Sequence, residues 1–380
     1  MRHEFRTLNK SYSYQNTAEI EPSELRQKIK EKTVVPYQVE FQPPPASLRK
    51  ICWLECEYCY GASADDEKSP RMSKELALDV LNDIAAGGVK KIIFAGYATD
   101  PLNSPYISEL LEKAIGHNLI FGFNTKALKV PNRLLEIIQT SKIARDSYIS
   151  LSVDAGSNET YNKMHAIKSN IKLYDKILEN AKKIKGANSD LTLSAAYLIN
   201  KTNCEIDDIK RFIKDFRAVG CNFLRFSFLQ QPKDVQLNEE TLPNKDDQER
   251  IKRKIENVIF SEDTEKCPVK LVDIDHKENI FRKAQTVPCF ARFIFPTVGY
   301  DGWLYNCSQS SSPNFRSTAL GKLSKNNFWD LYYNYQFDNE ALYFCETSKK
   351  IKDSGCRCDR KMHLANKNLI RSGKFHFGKI

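Results

Sequence analysis

The chain has 380 residues, of which 41% are hydrophobic and 28% charged, and its formal net charge at neutral pH is +10. This composition is that of a globular protein, and no apolar run is long enough to cross a bilayer. The polar opening Met1–Arg6 lacks the features of a secretion signal, so we expect a cytoplasmic protein with no membrane partner. The basic residues are dispersed rather than clustered, which argues against a nucleic-acid partner.

Segments typical of strands and helices alternate from residue 36 onward. The predicted strands are Tyr37–Phe41, Lys91–Phe94, Leu119–Phe123, Tyr148–Val153, Leu191–Leu198, Asn222–Phe228 and Val269–Val272. The predicted helices are a Ser73-capped helix reaching Ile84, a helix opened by Ser104 and Pro105, Pro131–Thr140, Ile171–Ile184 with its stop at Gly186, Glu205–Val219 with its stop at Gly220, and a segment reaching about Phe260. Polar residues Pro232–Glu249 predict a linker before that last helix.

Strands that alternate with helices predict an α/β fold with a parallel sheet. Six such units fit a partial (β/α)6 TIM-like barrel better than a doubly wound sheet, although periodicity alone does not separate the two. We expect an N-terminal extension at 1–35, the partial barrel at 36–275, a small α+β cysteine-rich domain at 276–362 and a basic tail at 363–380. In a barrel of this kind the chemistry lies at the carboxyl ends of the strands.

The most informative motif follows the first predicted strand. Cys52, Cys56 and Cys59 have the spacing C-x3-C-x2-C. Three thiolates in one short loop can hold three corners of a [4Fe-4S] cluster and leave one iron open to a ligand. The alternative is a zinc site, which would need a fourth Cys or His from elsewhere in the chain. The eleven cysteines of this chain indicate metal or redox chemistry rather than a disulfide framework.

Over residues 36–275 the chain resembles the radical S-adenosylmethionine (SAM) enzymes. The resemblance implies that the three cysteines hold a [4Fe-4S] cluster whose open iron binds SAM. It also implies SAM contacts from an aromatic beside the third cysteine, from a loop after the second strand and from a Ser-x-Asp segment on the fourth. The matching residues are Tyr58, Gly96, Asp100, Ser152 and Asp154. The family's Gly-Gly-Glu-Pro run is replaced here by a loop ending Asp100-Pro101. Loop packing, a turn and strand-end caps are the structural alternatives for these residues.

The C-terminal cysteines carry a second resemblance. Cys289, Gly302 and Cys307 form a C-x12-G-x4-C pattern similar to the opening of the SPASM and twitch extensions of radical SAM enzymes. The resemblance implies a hairpin at Asp301-Gly302 and a second, auxiliary [4Fe-4S] cluster. The implied ligands are Cys289, Cys307, Cys356 and Cys358, with Cys345 as the alternate. A zinc knuckle using Cys356, Cys358 and His363 is the other interpretation.

The resemblance implies cleavage of SAM to a 5′-deoxyadenosyl radical that abstracts a hydrogen atom from the substrate. Oxidation or cross-linking would follow if the auxiliary cluster accepts an electron, and epimerisation would follow if a thiol returns a hydrogen atom. Cys204 comes after the fifth strand and is the candidate donor, with an inert loop cysteine as its alternative. Cys221 and Cys267 precede strands and are expected at the opposite end of the barrel.

The substrate expected from the resemblance is a ribosomally made peptide (RiPP) or another natural product. The runner-up is a dehydrogenase or epimerase acting on a sugar-like or aminoglycoside-like small molecule. A one-electron donor such as flavodoxin or ferredoxin is the implied protein partner. A zinc-dependent binding protein is the hypothesis from a different class.

Overall fold

The computed structural model of the chain describes residues 22–45, 54–56, 58–59, 71–97, 99–229, 241–262, 264, 266–272 and 291–335. Among the predicted site residues, Cys52, Cys289, Cys345, Cys356 and Cys358 lie outside these ranges. No helix in the described ranges has both the length and the apolar character that a membrane span requires.

Seven parallel strands form the centre of one ten-stranded sheet. They are β1 (Gln38–Phe41), β2 (Lys91–Phe94), β3 (Ile120–Thr125), β4 (Tyr148–Ser152), β5 (Thr192–Ile199), β6 (Phe223–Phe228) and β7 (Val269–Val272). They pair in chain order, each with the next, and the ends of the described sheet do not pair with each other. The structure therefore confirms the predicted α/β fold as an open, partial barrel.

Helices cover the outer face of this sheet, as the crossovers between parallel strands require. They are α1 (Pro22–Lys30), α2 (Lys74–Ala86), α3 (Ile107–Gly116), α4 (Asn132–Thr140), α5 (Asn158–Met164), α6 (Leu173–Ala187), α7 (Ile206–Val219), α8 (Lys245–Glu262), α9 (Ala291–Ile294) and α10 (Phe328–Tyr333). Alternate strand residues pack against the helices. Tyr197 of β5 and Phe226 of β6, for example, both lie against Phe212 of α7.

The other strand residues form the concave side of the sheet, here called the inner face. Its amino-terminal end is filled by the ring of Tyr148, which lies where a side chain on Gly122 would be, 2.3 Å from an added Cβ. The ammonium group of Lys91 lies 4.7 Å from the centre of the same ring. This end of the barrel is therefore packed, and its ligand-binding space lies toward the carboxyl ends of the strands.

Several predicted helix boundaries were wrong. The helix expected to open at Pro105 begins at Ile107, after a turn. Gly186 does not stop α6, which continues to Ala187. Helix α8 begins at Lys245, inside the predicted linker, because a polar, charged stretch with apolar residues at helical spacing still buries one side. Helix α5 and helix α1 were not predicted.

The segment after residue 291 continues the same sheet. Strand β8 (Thr297–Val298) pairs parallel with β1, and β9 (Trp303–Tyr305) and β10 (Gly321–Lys322) follow in antiparallel order. The β8–β9 hairpin turns at Asp301-Gly302 as predicted, with Gly302 at φ 76°, a left-handed backbone conformation that favours glycine. The strands at the start of the predicted C-terminal domain are thus hydrogen-bonded to the barrel.

Candidate functional site

The described part of the cysteine loop forms a tight turn beside α5. The backbone N–H of Cys59 donates to the carbonyl of Cys56 at 3.0 Å, and the N–H of Glu55 donates to the carbonyl of His165 at 3.3 Å. Cys56 is buried and Cys59 is partly buried. Two of the three motif cysteines therefore lie together on the edge of the barrel where α5 ends.

A polar cluster lies directly behind this loop, with Asp154 and His165 buried and Tyr58 and Lys126 partly buried. The Tyr58 hydroxyl donates to Oδ2 of Asp154 at 2.8 Å, and Nζ of Lys126 lies 3.5 Å from the same oxygen. Nζ of Lys126 also lies 2.7 Å from Nε2 of His165, which is 3.1 Å from the Tyr58 hydroxyl. We call Tyr58, Lys126, Asp154 and His165 the loop-anchoring cluster.

The hydrogen bonds assign the His165 tautomer. A lysine ammonium can only donate, so Nε2 of His165 is the acceptor. The proton is then on Nδ1, which donates to the carbonyl of Tyr161 at 2.8 Å. Burial, followed by the charge of Lys126, lowers the pKa of His165 well below its ordinary value. This imidazole is therefore neutral at physiological pH.

Burial and neighbouring charges also determine the protonation states of Tyr58 and Lys126. Burial and then the Asp154 carboxylate raise the pKa of Tyr58 well above its ordinary value, so Tyr58 stays a phenol. Burial alone would lower the pKa of Lys126, but the acidic groups around it, Asp154 foremost and Cys56 among them, raise it. Lys126 is thus a permanent cation held close to the cysteine loop.

The fold brings these residues together because each follows a strand or ends a helix at one end of the barrel. Lys126 directly follows β3, and His165 caps the C-terminus of α5. Asp154 follows β4 with φ 63°, a left-handed conformation in which its Oδ1 accepts the N–H of Leu198 at 2.9 Å. The side chain of Asn203 supports this strained backbone by donating to the Asp154 carbonyl at 2.9 Å.

The loop after β2 holds Gly96 and Asp100 in a structural arrangement. The Asp100 carboxylate accepts hydrogen bonds from the N–H of Leu102 (2.9 Å), the hydroxyl of Thr125 (2.7 Å) and the N–H of Lys126 (2.6 Å). Burial raises the pKa of Asp100, and these hydrogen bonds counteract the rise. A Cβ on Gly96 would lie 1.5 Å from the Thr99 carbonyl oxygen, so the turn requires glycine.

Three other predicted residues are not members of the loop-anchoring cluster. Ser152 ends β4 and is partly buried on the inner face. Cys204 lies between β5 and α7, where its thiol is 3.5 Å from the Lys201 carbonyl and burial raises its pKa. Cys307 follows β9, and its sulfur is 3.7 Å from the Ser310 hydroxyl. Cys221 and Cys267 directly precede β6 and β7, at the amino-terminal end of the barrel as expected.

Two residues of the cluster, Lys126 and His165, were not predicted from the sequence. Lys126 lies three residues beyond the predicted strand Leu119–Phe123 and directly follows the observed strand β3, so its place at the carboxyl end of a barrel strand became clear only in the structure. His165 gave no signal, because α5 was not predicted. Within the described ranges no three His, Cys, Asp or Glu side chains form a metal-binding group, and Cys52 lies outside those ranges.

Comparisons with known proteins agree with this geometry. Residues 47–213 match the family model described as Radical SAM superfamily. No curated protein sequence matches the chain. Among solved structures, SuiB of Streptococcus suis has a TM-score of 0.57 at 14% identity, over 89% of this chain and 76% of SuiB. The structure of anSMEcpe with bound AdoMet has a TM-score of 0.54 at 14% identity, over 90% of this chain and all of that one.

These structural likenesses establish the fold, and the family model shows a sequence similarity over residues 47–213. The matched residues begin just before the cysteine loop and end within α7, so they include every member of the loop-anchoring cluster. Over residues 47–213 the chain is therefore similar to the radical SAM superfamily.

Proposed function

We propose that this protein cleaves SAM reductively and uses the 5′-deoxyadenosyl radical to abstract a hydrogen atom from a peptide or another natural product. The observation that carries the proposal is the loop-anchoring cluster. It joins the Cys56–Cys59 turn to the carboxyl ends of β3 and β4 through partly buried hydrogen bonds. These strand ends are where the chemistry of a barrel is located.

Cys52, Cys56 and Cys59 are the proposed ligands of the [4Fe-4S] cluster, and their chemistry fits it. Thiolates are the ligands of such clusters, and they bring negative charge into a buried loop. Lys126 supplies a compensating cation whose own pKa responds to Cys56. When bound, the cluster and SAM together supply electron transfer and radical formation, and the chain's part is to hold, orient and shield them.

The residues proposed for SAM have distinct tasks. The ring of Tyr58 is fixed by its hydrogen bond to Asp154 and is proposed to contact the adenine. Ser152 and Asp154 are proposed to face the ribose and carboxylate. Asp100 already accepts three groups of the chain, so we propose that it shapes the turn at Gly96, whose backbone then receives the methionine amino group.

A peptide is the proposed substrate class. SuiB, whose fold this chain shares, is known in a structure bound to the precursor peptide SuiA, with a TM-score of 0.56 at 13% identity over 92% of this chain and 77% of SuiB. We extend that substrate class to this chain and expect a flavodoxin or ferredoxin as electron donor. Mass spectrometry of peptides encoded beside the gene, treated with the reduced enzyme and SAM, tests it. An unchanged mass in every such peptide would contradict a peptide substrate.

An auxiliary [4Fe-4S] cluster is proposed at the end of the β8–β9 hairpin. The proposal is supported by Cys307, which is buried and follows β9. The remaining proposed ligands are Cys289, Cys356 and Cys358, with Cys345 as the alternate. Replacing Cys307 with Ala should lower the iron content of the reconstituted protein by about four atoms per chain. An unchanged iron content would remove this site.

Epimerisation or dehydrogenation of a sugar-like molecule is the second candidate function. The environment of the Cys204 thiol favours it. Burial raises the pKa of its thiol. The sulfur therefore keeps the hydrogen that a hydrogen-atom donor must give. For an epimerase, the Cys204→Ala variant should lose turnover while 5′-deoxyadenosine still forms. Unchanged turnover would exclude this role.

A further inference from the structure

The segment that joins α5 to α6 presents positive charge beside the cysteine loop. Residues 160–174 contain Lys163, Lys168 and Lys172 and no carboxylate. All three lysines are exposed, and none of them forms an ion pair with another described residue. We call residues 163–172 the lysine segment.

The lysine segment also exposes an apolar side chain. Ile171 is 46% exposed, whereas Ile167 packs against the core and Leu173 is buried. The side-chain amide of Asn162 donates to the carbonyl of Ile171 at 3.1 Å and to that of Ser169 at 3.3 Å. Ile171 is therefore exposed on a loop that is fixed at both ends and held by α5 in between.

Hydrogen bonds place this surface next to the proposed cluster ligands. The carbonyl of His165 accepts the N–H of Glu55, the residue before Cys56. Asn162 precedes His165 by three residues, and helix residues at this spacing lie about 5–6 Å apart. Since the amide of Asn162 also reaches the carbonyl of Ile171, Ile171 lies within roughly 15 Å of Cys56.

The lysine segment lies on the outer side of the barrel. It joins two helices, α5 and α6, that cover the outer face of the sheet, whereas the proposed SAM contacts lie at the strand ends. A protein bound to the lysine segment therefore stays outside the space proposed for SAM and substrate. An electron can be delivered from this side, because its transfer requires proximity to the cysteine loop and not entry into the barrel.

We propose that the lysine segment is the docking surface for an acidic one-electron carrier protein, a flavodoxin or a ferredoxin. This inference rests on the proposed function and locates its protein partner. Unpaired lysines steer an acidic partner to this surface, and the exposed side chain of Ile171 provides an apolar centre for the interface. The net charge of +10 also favours an acidic partner. One electron leaves the reduced carrier, which is thereby oxidised, and is consumed in the reductive cleavage of SAM.

Binding of the carrier is measured directly, by fluorescence anisotropy at low and at high salt. The probes are a dye-labelled flavodoxin and a dye-labelled plant-type ferredoxin, and the protein is the anaerobically reconstituted full chain. The test variant reverses three charges of the lysine segment, with Lys163→Glu, Lys168→Glu and Lys172→Glu.

A matched control variant reverses three charges elsewhere. It carries Lys182→Glu, Lys183→Glu and Lys214→Glu, which change exposed lysines in the halves of α6 and α7 that lead into β5 and β6. These positions lie toward the amino ends of the strands, away from the cysteine loop. The control therefore has the same net charge as the test variant with an intact lysine segment.

At about 0.05 M salt the test variant should bind flavodoxin about tenfold more weakly than the wild type and the control do. The difference should narrow at about 0.5 M salt, because salt screens exposed charges. Ile171→Ser should weaken binding about fivefold at both salt concentrations, since its contribution is apolar. An equal loss in the control, no loss in the test variant, or no binding of either carrier to the wild type would overturn the docking surface. Displacement of flavodoxin by an oligothymidylate at the same concentration of charge would show a general polyanion surface and overturn it also.

A second assay separates docking from the structure of the SAM site. Formation of 5′-deoxyadenosine is measured with reduced flavodoxin and with dithionite, a small reductant that needs no docking surface, and circular dichroism and iron content serve as controls for folding. The test variant should be slower with flavodoxin and unchanged with dithionite. An equal loss with both reductants would assign the lysine segment to the structure of the SAM site and overturn its role in docking.

The proposed function and the docking surface fail in different ways. A wild type that forms no 5′-deoxyadenosine with either reductant, yet binds flavodoxin through the lysine segment, would contradict the proposed function and support the docking surface. Normal 5′-deoxyadenosine formation with dithionite, with neither carrier bound, would do the reverse.

Discussion

Nζ of Lys126 lies 2.7 Å from Nε2 of His165, so a partly buried cation donates a hydrogen bond to a neutral imidazole directly behind the cysteine loop. The carbonyl of the same histidine accepts the N–H of Glu55 in that loop. These two contacts connect the end of β3, the end of α5 and the segment that carries the motif cysteines.

The first prediction concerns the charge balance of the loop-anchoring cluster. Asp154 is 1% exposed, so replacing Lys126 with Met leaves a buried carboxylate without its cation. We expect a loss of about 3 kcal/mol or more in the free energy of unfolding, measured on the metal-free protein by urea denaturation. The Lys126→Met, Asp154→Asn double variant should recover part of this loss. A double variant as unstable as the sum of both single ones would show that the two side chains do not interact.

The second concerns the turn after β2. An added Cβ on Gly96 would lie 1.5 Å from the Thr99 carbonyl oxygen, whereas one on Gly186 has no atom within 4 Å. Gly96→Ala should abolish SAM binding, measured by equilibrium dialysis, because the turn must open. Gly186→Ala lies inside helix α6 and should stabilise the protein by roughly 0.5–1 kcal/mol. Normal SAM affinity in Gly96→Ala would contradict the role given to this turn.

The third concerns Lys91 at the packed end of the barrel. Burial lowers the pKa of Lys91 to about 8 from its ordinary 10.5. Between these values the unfolded chain binds the proton and the folded chain does not, so the free energy of unfolding rises with pH across that window. The Lys91→Met variant lacks this pH-dependent contribution to the free energy of unfolding. The stability of the variant relative to wild type should therefore fall by about 3 kcal/mol between pH 8 and 10.5. Stability curves that stay parallel over this range would refute the shift.

The fourth prediction concerns Tyr58 and distinguishes the role of its ring from that of its hydroxyl. Tyr58→Phe keeps the ring and removes the hydrogen bond to Asp154, whereas Tyr58→Ala removes both. If the ring contacts the adenine, Phe should retain most of the SAM affinity and Ala should lose about tenfold, since base–aromatic stacking contributes about 1–3 kcal/mol. Equal losses in both variants would assign Tyr58 to positioning the loop alone.

Local patterns predicted most of the barrel, because its strands are apolar and its turns use residues with strong preferences. Gly220 at φ 91° ends α7, and Gly302 at φ 76° forms the hairpin, both as expected. The predicted helix start at Pro105 and the predicted helix end at Gly186 were wrong. A proline in the turn before a helix resembles one in its first turn, and a glycine inside the last turn resembles one that ends the helix. These errors moved boundaries and did not change the fold.

What the sequence did not predict depends on long-range packing. The parallel pairing of β8 with β1 joins segments more than 250 residues apart, and no local pattern encodes it. The loop-anchoring cluster likewise combines residues from the cysteine loop, β3, β4 and α5. Tyr58 and Asp154 were predicted through the family resemblance. Their partners Lys126 and His165 became visible only when the strand ends were placed together.

The most direct test of the central claim is iron and sulfide content after anaerobic reconstitution, for the wild type and for a variant with Cys52, Cys56 and Cys59 all replaced by Ala. The wild type should hold about eight irons per chain and the variant about four, which corresponds to one cluster at this loop and one auxiliary cluster. Equal iron in both proteins would contradict a cluster at this loop. Zinc in place of iron would contradict the radical mechanism altogether.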